Sequence, residues 1–75
     1  MRARLVVTRE AATQAPWQLR QRALDTFETA RAAGVQIVEH YLFAEDQTEF
    51  LMDGDAVKMA PAIEVLRAII DHPKG

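Results

Sequence analysis

Glu39, His40 and Tyr41 stand in a row in this 75-residue chain and offer it a carboxylate, an imidazole and a phenol. They lie inside VQIVEHYLF, residues 35–43, whose β-branched and aromatic content predicts a strand. Side chains along a strand alternate between faces. Glu39 and Tyr41 therefore share one side with Val35, Ile37 and Phe43, while His40 shares the other with Gln36, Val38 and Leu42. Neighbours on opposite faces cannot form one acid/base pair. Two function classes follow. In one, a small cofactor-independent enzyme of isomerase or oxygenase type uses a cavity of about 300 Å3 or more beside His40 and Tyr41. In the other, a non-catalytic homo-oligomeric module binds a protein or small ligand through its sheet face, with His40 a hydrogen-bonded interior or interface histidine and Glu39 an ion-pair member. The second asks less of these residues, and we take it as the working expectation.

The remaining chemistry is sparse. Glu45, Asp46, Glu49, Asp53 and Asp55 with Gly54 supply oxygen ligands of the kind hard cations prefer, but lack the alternating ligands and terminal Glu of a calcium loop. A turn, a solvated strand position and a helix cap explain the same residues, so no metal is expected. The chain has no cysteine and no serine, which removes disulfides, thiolate sites and those two nucleophiles. Glycines at 34, 54 and 75 match no nucleotide-binding fingerprint, and no cofactor is expected. Trp17, Phe27, Met52 and Met59 could line a pocket or simply fill the core. His72, beside Pro73 at a helix end, is expected to meet terminal carbonyls.

The elements that position these residues follow from pattern. RLVVT, residues 4–8, reads as a strand with Leu5 and Val7 on one face and Val6 on the other, half buried or at a sheet edge. EAATQAP is a polar connection, and Pro16 suits the first turn of a helix running to about Ala33. That helix carries Pro16, Leu19, Ala23, Phe27 and Ala30 as its apolar stripe, with Trp17 and Leu24 widening one edge. Arg22 with Asp25 and Glu28 with Arg31 are spaced for ion pairs, and Gly34 is the expected left-handed stop. Residues 35–53 form a hairpin broken at Ala44, Glu45, Asp46 and Gln47. Asp55 caps the segment after the turn. Pro61 predicts a short turn over residues 56–60, or a kink, before a main helix over residues 61–71 whose apolar face is Ala62, Ile63, Leu66, Ile69 and Ile70.

Strand, helix, strand, strand, helix is the order of an α+β chain. It looks like the ferredoxin-like β-α-β-β-α-β fold with the last strand missing, an antiparallel sheet covered by two helices on one face. Through RLVVT, the helix ending RAAG, VQIVEHYLF, TEFLMDGD and the closing helix, the chain resembles small dimeric α+β barrel proteins, including GYD-domain-like ones. That resemblance implies two sheets packed face to face. The layout of MRARLVVT, the TQAPWQLRQRALDTFETARAAG helix, VQIVEHYLF and GDAVKMA is also similar to the opening of DsrE/TusD-like sulfur-relay proteins. Those relay sulfur on a cysteine in a longer parallel-sheet domain, so this likeness implies a shortened, catalytically silent relative.

Seventy-five residues make one domain, residues 1–75, and a domain that short buries only about 60% of its unfolded surface. Without disulfides, self-association is the stabiliser left. Both hairpin faces carry large apolar residues, which predicts a homo-oligomer or a protein partner docked through Val38, His40 and Leu42. Net charge is −2, with no basic excess to favour nucleic acid or an anionic membrane. Residues 1–34 carry a formal +3 against −5 for residues 35–75. No apolar run is long enough to span a bilayer, so a cytoplasmic location is the default expectation.

Overall fold

Alternation builds the sheet. The structure, a computed structural model, describes residues 1–41 and 46–72. Strand β1 is Arg2–Thr8, β2 is Gln36–Tyr41 and β3 is Gln47–Asp53, in the order β1-β3-β2 with both pairings antiparallel. Helix α1 is Arg9–Gln14, α2 is Trp17–Ala32 and α3 is Ala56–Ile70. The fold is α+β and ferredoxin-like. β3 lies in the middle, where that fold places it, and β1 is an edge because no fourth strand is present among the described residues.

The register sorts side chains into two layers. Leu5 and Val7 of β1, Ile37 of β2, and Phe50 and Met52 of β3 face the helices. Arg4 and Val6, Val38 and His40, and Glu49 and Leu51 lie on the opposite face. The core is the seam between sheet and helices: Val7, Ala23, Phe27, Ala30, Val35, Ile37, Met52, Met59, Ala62, Val65, Leu66 and Ile69 are all buried. Phe27 meets Phe50 with ring centroids 5.4 Å apart at 44°, and the Arg31 guanidinium lies 6.0 Å from the Phe27 centroid.

Four sequence expectations need correction. The connection after β1 is helical because the Thr8 hydroxyl accepts from the Ala11 N–H at 3.0 Å and caps an alanine-containing turn. Trp17 and Leu24 do not widen the buried stripe of α2; they are 65% and 61% exposed, because α2 rests on the sheet through Ala23, Phe27 and Ala30. Pro61 does not break α3, which runs unbroken through it. Proline there removes one hydrogen bond to the Val57 carbonyl, near an exposed N-terminal end, and the burial of Met59, Ala62, Val65, Leu66 and Ile69 outweighs that loss. The anticipated pairs Arg22–Asp25 and Glu28–Arg31 do not form; Gln21 Nε2 donates to Asp25 at 3.3 Å, and Arg31 donates to the Ile37 carbonyl at 3.3 Å.

The turns are as the residues require. Gly34 has φ +99° and lets the Val35 N–H reach the Ala30 carbonyl at 2.9 Å, closing α2. Gly54 sits so close to Val35 that an added Cβ would stand 3.2 Å from the Val35 Cα. Asp55 Oδ1 accepts from the N–H groups of Val57 and Lys58 at 2.9 and 3.2 Å. Asp55→Ala is therefore expected to cost about 1 kcal/mol, read as a lower urea midpoint at unchanged slope.

Candidate functional site on the open sheet face

The face turned away from the helices holds the candidate site. Its rows follow from the register: Arg2, Asp53 and Gln36; then Arg4, Leu51 and Val38; then Val6, Glu49 and His40; then Thr8 and Gln47. Leu51 and Glu49 occupy the middle strand, so each has neighbours on both sides. Val6 and Val38, on the outer strands, are exposed although apolar, Val38 at 45%. Together with Leu51 they form an apolar patch, and a shallow recess of about 230 Å3 opens there, lined by Arg2, Gln36, Val38, Leu51, Met52 and Asp53.

Glu49 is the unexpected member. The sequence placed it at a solvated strand position, but its residue surface is only 6% exposed. The central strand explains this, because Val6 and His40 flank it in register and the Arg4 side chain pairs with its carboxylate. A buried carboxylate is costly unless paired, so Arg4 is what makes this position tolerable. Arg2 and Asp53 make a second pair on this face, 3.5 Å apart and well exposed. Arg4→Ala is expected to destabilise the fold by about 2 kcal/mol. Arg2→Ala should cost under about 0.5 kcal/mol. Thermal or urea unfolding of the two variants side by side checks the contrast.

The structure separates the three sequence candidates. His40 lies on the open face beside Glu49, and that pairing was not legible from the chain because the two residues are nine apart and meet only through the hairpin register. Glu39 and Tyr41 lie on the helix side of β2, where both are exposed, Tyr41 at 76%. Val38 and His40, two of the three expected interface residues, share the open face; Leu42 lies outside the described residues, as do Ala44 and Glu45 of the hairpin break. The larger cavity, a groove of about 270 Å3, is on the helix side and touches Glu39 but neither His40 nor Tyr41.

Other expectations resolve as follows. Met52 and Met59 are fully enclosed core residues, Phe27 is a core residue that also lines the groove, and Trp17 lines neither cavity. The His72 imidazole does not serve the helix-end carbonyls: its Nδ1 is buried without a hydrogen-bond partner among the described residues, and the backbone N–H of His72 makes the contact to Ile69 O, at 3.4 Å. No group of three or more metal-ligating side chains occurs among the described residues. None of their helices is long and apolar enough to cross a membrane. No family model, curated protein or solved structure matches the chain, so its own geometry carries the functional argument.

Proposed function

We propose that this chain is a self-associating module whose open sheet face packs against the same face of a second copy, with Val38 and His40 in the contact. The observation that carries the reading is the pair of exposed apolar residues Val6 and Val38 flanking the half-buried Leu51 on a sheet that helices cover on one side only. Charge favours a second copy as the occupant. The face holds two arginines, Glu49 and Asp53, joined as Arg2–Asp53 and Arg4–Glu49, so like faces approach without net repulsion.

Size sets the strength. Three strands about 4.8 Å apart and six or seven residues long present a face of roughly 14 by 22 Å. Even with side-chain relief, two such faces bury less than the roughly 1,600 Å2 of a standard interface, so a dissociation constant in the micromolar range is expected. Light scattering over a micromolar concentration series tests this. A mass rising from the 8.4 kDa protomer towards twice that value is the expected result. A constant protomer mass up to several hundred micromolar would refute self-association.

A further inference from the structure

We infer that the groove between α2 and the sheet is a binding site for a small amphipathic anion, a carboxylate on a short aliphatic body. It lies on the helix side, independent of the open face. The groove holds about 270 Å3, just below the range of drug-sized sites, which fits a ligand of few atoms. Phe27 of α2, Phe50 of β3 and Leu66 of α3 line it, and Leu24, largely exposed, contributes apolar surface that a ligand would cover.

The charged residues at the groove choose the head group. Arg9 and Arg20 both line it, and among the described residues neither has an ion-pair partner, the two pairs formed being Arg2–Asp53 and Arg4–Glu49. An apolar lining with two free guanidiniums matches an anion that carries a hydrocarbon tail, because each guanidinium offers a fork of N–H donors to a carboxylate. Among the described residues Glu39 is the one acidic residue lining the groove; it sits on β2, two strands across the sheet from the β1 end that leads into Arg9. Its charge opposes an anion, so the site gains affinity when it is neutralised.

Nuclear magnetic resonance titration of the labelled full chain with sodium hexanoate tests the assignment, with 1-hexanol and inorganic phosphate as comparison ligands. The expected result is saturable hexanoate shifts around Val7, Phe27, Phe50 and Leu66, with both comparison ligands at least about tenfold weaker. Arg20→Gln should weaken hexanoate by about tenfold, Arg9→Gln likewise, and Glu39→Gln should tighten it. All three positions are exposed, so the variants should fold. Equal binding of hexanol, equal binding of phosphate, shifts centred on Val38 and Leu51, or no saturation would each overturn the assignment.

Discussion

Leu51→Lys is expected to abolish self-association while leaving the protomer folded. Leu51 sits on the middle strand of the open face, between Arg4 on β1 and Val38 on β2. It is half-buried in the protomer, so a lysine there can extend its ammonium into water and lie along a strand that carries Glu49 and Asp53 on the same face. In a face-to-face dimer that escape is closed. Two ammonium groups, one from each copy, would be forced into a layer about 10 Å thick, and a buried unpaired charge costs several kcal/mol. A loss of about 3 kcal/mol corresponds to more than a hundredfold in affinity, enough to leave a micromolar dimer monomeric at any practical concentration. Val38→Lys, at a more exposed position on β2, should give a smaller loss in the same direction. Light scattering with circular dichroism separates dissociation from unfolding. A Leu51→Lys protein that stays folded and still dimerises would place the interface elsewhere.

The second large effect is in the core. Met59→Ala is expected to destabilise the protein by about 3 kcal/mol. Met59 is fully enclosed in α3, and alanine is the best helix former, so propensity works slightly in favour of the variant and any net loss comes from packing. For a 75-residue chain the whole stability is of the order of 4–11 kcal/mol, so this one cavity removes a large part of it. Trp17→Ala gives the contrast. The indole is mostly exposed, and a cost within about 0.5 kcal/mol is expected by urea unfolding.

These contrasts mark where sequence and structure part. The strands were legible because Leu5 and Val7, or Ile37 alternating with Val38, carry the period-two signal in their own residue types. Gly34 and Asp55 were legible because each answers a local backbone need. The state of Trp17, Glu49 and Pro61 depends on what comes from elsewhere in the chain. Periodicity put Trp17 beside the apolar stripe, yet α2 buries itself through Ala23, Phe27 and Ala30 and leaves Trp17 in solvent. Glu49 reads as a solvated charge until the register places Arg4, Val6 and His40 around it. Pro61 reads as a turn or a kink until the packing of Met59 and Val65 against the core shows what the helix gains by continuing. Residue types thus fixed the layers, but the neighbours of His40 had to wait for the strand pairing.

The most direct test of the open-face interface is an isotope-filtered nuclear Overhauser experiment on a mixture of labelled and unlabelled copies at several hundred micromolar. Intermolecular contacts joining the methyl groups of Val6, Val38 and Leu51 of one copy to the same patch of the other are the predicted result. Intermolecular contacts confined to the helix layer, at Trp17 or Val57, would contradict the face-to-face account.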